Sequence, residues 1–167
     1  MLERGQGVFY ILAAGLITAV SITLGRLPPV VASQFDGTGM PNGWLSRPAY
    51  ALLLLAIGVL LPLGITLLIR GLTRDGPARL NIPAQDYWTR PEHGPEAVRR
   101  VRAYMWWLGC ILAGTALSIH LLVLAAHRHQ PPHLSTSAFL PVLAAVLVGI
   151  AGWAAGWYRL LQRPGSG

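Results

Sequence analysis

Five histidines carry the chemistry most available near neutral pH in this 167-residue chain: His93, His120, His127, His129 and His133. His120 and His127 stand seven residues apart, on nearly the same face of a helix, and His127-x-His129 leads through a Pro-Pro pair to His133. With Asp36 brought near, imidazole nitrogens and one carboxylate would suit zinc or copper. A His-x-His pair in a Pro-rich loop sets no ligand geometry, however. His120, His127, His129 and His133 are therefore metal candidates only, and no cofactor is expected. The alternative for His120 is a neutral hydrogen bond to Thr18, Thr23, Thr66 or a backbone carbonyl, while His93 reads as solvated.

Catalytic patterns are absent. Ser21, Ser118 and His120 sit in no serine-hydrolase motif, and no Gly-rich phosphate loop occurs. All thirteen basic residues are arginines, which excludes lysine nucleophiles. A four-helix haem site would want two axial histidines within apolar segments, and His120 alone is placed so. Cys110 is the single cysteine and forms no internal disulfide. The chain reads as a non-enzyme.

The elements that must position these residues are four apolar stretches, Val8–Leu24, Pro48–Ile69, Ala103–Ala126 and Ala138–Trp157, none containing Asp, Glu, Lys or Arg. A bilayer core about 30 Å thick is crossed by about 20 apolar residues at 1.5 Å rise each, so all four are long enough, the first barely. In lipid every backbone N–H and C=O must be paired within its segment, which makes these spans helices despite their Val, Ile and Thr. With 53% hydrophobic and 11% charged residues and a mean hydropathy of +0.50, residues 1–167 read as one transmembrane domain. The expected fold class is an all-α membrane protein, four transmembrane helices in one bundle. The lipid bilayer is its first partner.

Without span carboxylates there is no acid chain for proton-coupled transport. Net charge +7 raises the question of nucleic acid, but the arginines flank hydrophobic spans and form no patch interleaved with stacking aromatics, so no nucleic-acid partner is expected. A cytoplasmic N-terminus puts ten arginines inside and leaves Arg26, Arg47 and Arg128 outside, a clear positive-inside bias. Both termini are expected inside. Arg4, the first apolar run and Val31-Ala32-Ser33 also fit a cleavable leader, but the run exceeds the usual length of about 7–15 residues and Pro28-Pro29 precedes the cleavage site. An uncleaved first helix is preferred. Tyr50, Tyr104, Trp106, Trp107, Trp157 and Tyr158 lie near span ends and read as interfacial anchors.

The outer loop from Leu27 to Arg47 is rich in turn chemistry. Pro28 and Pro29 stop the helix, Asp36-Gly37 and Asn42-Gly43 supply residues tolerant of positive φ, and Pro41 sets φ between them. An ordered loop with two tight turns is expected, with Phe35 and Trp44 buried or in the interface. Gln34, Asp36, Asn42 and Trp44 are its candidate ligand-binding residues.

The pattern Leu27-Pro-x-Val, Phe35-Asp36-Gly37-x-Gly39-x-Pro41-Asn42-Gly43-Trp44 and Ser46 resembles the DUF1648 domain, found at the start of SdpI-like bacterial membrane proteins. The resemblance covers about residues 10–70, and Asn81-Ile82-Pro83, Asp86-Tyr87-Trp88 and Pro91-Glu92 resemble a subgroup carrying that domain. Gln34 stands where many members have a histidine. The resemblance implies a multi-pass protein of the bacterial inner membrane and, from its SdpI-like members, a binder, sensor or immunity role without catalysis. A structural or accessory subunit of a larger membrane complex is the alternative.

The loop 70–102 is the longest connection expected on the cytoplasmic side. Pro95 suits a first helical turn, and Glu96 precedes Arg99 and Arg100 by three and four residues, so the third helix is expected to begin before its apolar run. Arg99, Arg100 and Arg102 would face anionic lipid. Tyr87 and Trp88 would serve as protein contacts or insert into the membrane. Gly109-x-x-x-Ala113 and Gly114-x-x-x-Ser118 in the third span, with Ala145-x-x-x-Gly149 and Gly152-x-x-x-Gly156 in the fourth, allow close helix approach. Spans three and four are expected to pack together, or to drive a homo-oligomer or bind a partner protein.

Overall fold

A helix in lipid does not end where its apolar run ends, because each added turn still pairs its own backbone, and all four spans are longer than their hydropathy. The structure, a computed structural model, describes residues 4–162. Arg163, counted toward orientation above, lies outside the described residues. The chain is mostly helical, about 70%, in the order α1 (Arg4–Thr23), β1 (Val30–Phe35), β2 (Pro41–Ser46), α2 (Arg47–Leu55), α3 (Leu61–Leu72), α4 (Gln85–Trp88), α5 (Gly94–Ala126) and α6 (Thr136–Leu161). A 3-10 turn extends α1 through Arg26, and a π turn over Ala56–Leu60 joins α2 to α3. Arg4–Arg26, Arg47–Leu72, Gly94–Ala126 and Thr136–Leu161 are each long and apolar enough to cross a membrane.

The early start of the third span is as expected. Pro95 lies in the first turn of α5, and Glu96 pairs with Arg99 and, at 2.7 Å, with Arg100. The π turn has a local cause. Pro62 has no N–H to donate, and its ring crowds the carbonyl of residue 58 four positions earlier. The helix widens ahead of it, so that Leu61 N–H reaches back five residues to Ala56 O.

The outer loop departs from expectation. Its two tight turns are one: β1 and β2 form an antiparallel hairpin, Val30 opposite Ser46 and Ala32 opposite Trp44, with irregular register around Gln34. Asp36 N–H donates to Met40 O, Gly39 N–H donates to Asp36 O, and Gly39 is the one hairpin residue at positive φ, +84°. Asn42-Gly43 is not a turn but lies in β2, where an added Cβ at Gly43 would come 2.6 Å from Gln34 Oε1. Gly43 makes room for a neighbour rather than a bend. Ser46 caps α2 by accepting from Ala49 N–H.

Packing centres on α5, which touches α1, α2, α3 and α6. Gly109 and Ala113 meet α1 and α3: an added Cβ at Gly109 would lie 3.0 Å from Phe9 and 3.2 Å from Pro62. That stripe does not serve α6, as the sequence had suggested. α6 does pack on α5, through Gly149 against Ile111 and through Gly156 beneath the Tyr104 hydroxyl, which donates to Trp153 O at 2.9 Å. None of the most apolar window of α6 is buried.

At the end holding α4 and the last turns of α3 and α6, aromatic and basic side chains close the helices. Trp88 is 2% exposed, donates from Nε1 to Leu161 O at 2.6 Å, and lies under the Arg100 guanidinium. Arg100 donates to Leu160 O, and Arg102 donates to Thr73 Oγ1, Thr73 O and Arg70 O. The last carbonyls of a helix have no partner within it, and cations are favoured there. Trp88 is thus interior and not an available contact, and Arg100 and Arg102 are helix caps as much as lipid-facing charges. Tyr50 and Trp106, read as anchors, are also buried, at 2% and 6% exposure.

Candidate binding site at the hairpin end

Three helices converge on His120, which is fully buried. Its Nε2 lies 2.7 Å from Thr23 Oγ1 on α1, and its Nδ1 lies 3.2 Å from the Tyr50 hydroxyl on α2. The proton order follows from the ends of the chain. Thr23 donates its own hydroxyl proton to Ala19 O at 2.5 Å, so its oxygen accepts from His120 Nε2–H, and Tyr50 O–H then donates to Nδ1. His120 is neutral in this arrangement, with both nitrogens satisfied.

Thr23 was among the partners expected and Tyr50 was not. A signal for Tyr50 existed: Tyr50, Leu54 and Gly58 recur every four residues and all are buried.

His127, at the end of α5, holds the hairpin. Its Nδ1–H donates to Val123 O at 2.9 Å, which leaves Nε2 to accept from Ala32 N–H in β1 at 3.2 Å. A second tie joins the tip to the segment before α6, where Leu134 N–H donates to Gly39 O at 2.9 Å and His133 packs over Gly39. His129 is exposed. Among the described residues no three His, Cys, Asp or Glu side chains gather as a metal site. His120 and His127 are each engaged at both nitrogens, so a metal would first have to strip those bonds.

Between the hairpin and the adjoining ends of α5 and α6 lies a cavity of about 340 Å³. Phe35, Ile119, Leu122, Phe139 and Leu140 make its apolar wall, and Asp36 stands at its rim. Asp36 Oδ1 accepts from Thr38 N–H at 2.9 Å, Thr38 Oγ1–H at 2.6 Å and Met40 N–H at 3.0 Å. The Thr38 hydroxyl, followed by Met40 N–H, holds its carboxyl below the usual carboxylate range. An anion with one oxygen uncommitted thus sits beside an apolar hollow.

The four candidates in the outer loop are divided by this geometry. Asp36 lines the cavity, whereas Gln34, Asn42 and Trp44 do not. Trp44 is half exposed, at 51%, so of the two placements expected, burial or the interface, it does not take the first. Sequence reasoning missed the lining residues on α5 and α6, because apolar side chains in an apolar span carry no mark of what they face. No family model, curated protein or solved structure matches this chain.

Proposed function

We propose that this chain is a multi-pass protein of the bacterial inner membrane, a non-catalytic binder or sensor of the SdpI-like kind, with both termini in the cytoplasm and its four helices gathered in one bundle. The hairpin then lies outside, roofing a site for an external amphipathic ligand. The observation that carries this reading is the 340 Å³ cavity under the hairpin, apolar within and acidic at one edge. Burial of an alkyl body in such a hollow contributes about 0.8 kcal/mol per CH₂, and Asp36 favours a cationic head. A sensing or immunity role follows if occupancy alters the ties from His127 to Ala32 and from Leu134 to Gly39.

The test is photolabelling of the full chain in membranes with a long-chain alkylammonium carrying a diazirine. Saturable labelling should map to 119–123 and 134–140 and fall when Leu122→Trp fills the cavity. Non-saturable labelling spread over all four helices would overturn the reading. Reporter fusions at Thr38 and Gly76 should read external and cytoplasmic respectively.

One observation favours the second reading, an accessory subunit of a larger complex: α6 leaves its apolar window unburied and presents Ala145, Ala151 and Gly152 on its exposed surface. Purification in mild detergent separates the two, since a stoichiometric second protein that stays bound through α6 supports the accessory role.

A further inference from the structure

At the opposite end from the hairpin, an open cleft of about 600 Å³ lies between the first turns of α1, the last turns of α3 and the start of α5. Its mouth holds Arg70, Arg99 and Arg102 with Gln6, and its deeper part reaches Thr66 and Trp106. Thr66 precedes Arg70 by four residues and Trp106 follows Arg102 by four, so the apolar part lies one helical turn further into each span. Among the described residues no carboxylate lines the cleft. The Arg70 guanidinium has no hydrogen-bond or ion-pair partner among the described residues, and Arg99 is exposed apart from its pair with Glu96.

Three guanidinia at the mouth of a cleft that turns apolar within one turn match a molecule whose anionic head adjoins a hydrocarbon tail. We propose that this cleft is a specific site for one anionic phospholipid, its phosphate held by Arg70 and Arg99 while an acyl chain descends along α3 and α5 past Trp106. Guanidinium suits this task, since its planar fork gives paired N–H donors to phosphate oxygens. Arg102 shapes the mouth while its Nε and Nη2 stay on the end of α3. The inference rests on the four spans being membrane helices and is independent of the hairpin cavity, so either site can fail without the other.

The experiment uses the full chain, purified in detergent and stripped of lipid, with phosphatidylglycerol or phosphatidylcholine added back in mixed micelles. Bound lipid is counted by native mass spectrometry, and affinity is read from the rise in melting temperature. One phosphatidylglycerol should bind saturably and in preference to phosphatidylcholine. Arg70→Gln with Arg99→Gln should weaken it about thirtyfold, the loss expected for two arginines near an anionic surface. The pair Arg90→Gln with Arg159→Gln removes the same charge elsewhere and should leave affinity unchanged. Melting without lipid reports whether each variant is folded, and Arg70→Lys with Arg99→Lys provides a folded comparison that retains charge and loses the fork. Equal affinity for the two lipids, or equal loss in the two glutamine pairs, would overturn the proposal. Full competition by millimolar inorganic phosphate would also overturn it, by assigning the arginines to a soluble anion.

Discussion

Replacing His120 by leucine removes two hydrogen bonds between helices, one to Tyr50 and one to Thr23. Such bonds in membrane proteins average about 0.6 kcal/mol each, so their direct loss is worth about 1 kcal/mol. The larger effect lies in what is left behind. Thr23 keeps its bond to Ala19 O and is not orphaned, but the Tyr50 hydroxyl, on a side chain 2% exposed, has no other partner among the described residues. A buried hydroxyl without a partner costs about 1–3 kcal/mol more, which brings His120→Leu to about 2–4 kcal/mol. Adding Tyr50→Phe removes that orphan. The double variant should therefore be more stable than His120→Leu alone, by about 1–3 kcal/mol, even though it carries one more substitution. Reversible unfolding in mixed micelles, followed by circular dichroism across an SDS titration, measures all four members of the cycle. A double variant less stable than the single one would refute the reading that His120 is the partner the buried Tyr50 hydroxyl depends on.

Two further outcomes concern the hairpin. His127→Ala removes the acceptor for Ala32 N–H, and exchange of that amide should accelerate about fivefold, the equivalent of one hydrogen bond near 1 kcal/mol, while helix content stays unchanged; unaltered exchange would show that β1 is held some other way. Asp36 has its carboxyl lowered in the folded chain, so its contribution to the turn is complete above the unfolded carboxylate value near pH 3.9 and is lost as pH falls through the lowered native value. Protection of the Thr38 and Met40 amides, measured relative to their intrinsic exchange at each pH, should thus fall only in acid, and Asp36→Asn should abolish that pH dependence of protection.

The four spans were legible because lipid leaves the backbone a single solution, and hydropathy reports directly on lipid. The juxtamembrane start of α5 was legible through Pro95 and the spacing of Glu96, Arg99 and Arg100, which are local signals. The hairpin was not: Val30 to Phe35 alternates poorly, and Gly43 near Asn42 imitates a turn while its role is to admit Gln34 from the facing strand. Nor was the interior placement of Trp88 and Tyr50, since an aromatic in a connection or at a span end reads the same whether it meets headgroups, a helix carbonyl or a buried histidine. Of the site, His120 and Thr23 stood out as polar groups in an apolar run, and Asp36 as the acidic residue of the outer loop. The wall of the cavity, from Ile119 to Leu140, depends on which apolar faces meet across the chain.

The π turn at Ala56–Leu60 has a consequence for the phase of the second span. Tyr50, Leu54, Gly58, Pro62 and Thr66 are all buried and recur every four residues. In a regular helix each step of four residues overshoots a full turn by about 40°, and the stripe would drift about 160° from Tyr50 to Thr66. One residue absorbed by the wider turn takes back about 100° of that drift and leaves the stripe on a single side. Deleting one residue between Ala56 and Leu60 would remove the wide turn together with the residue it absorbs and leave Tyr50 and Thr66 in the same phase, whereas making the turn regular at unchanged length would swing Tyr50 about 100° away from His120. Apolar exchanges within Ala56–Leu60 that leave Pro62 in place would keep the wide turn and the phase, so Pro62 matters more to this side of the span than which apolar residues precede it.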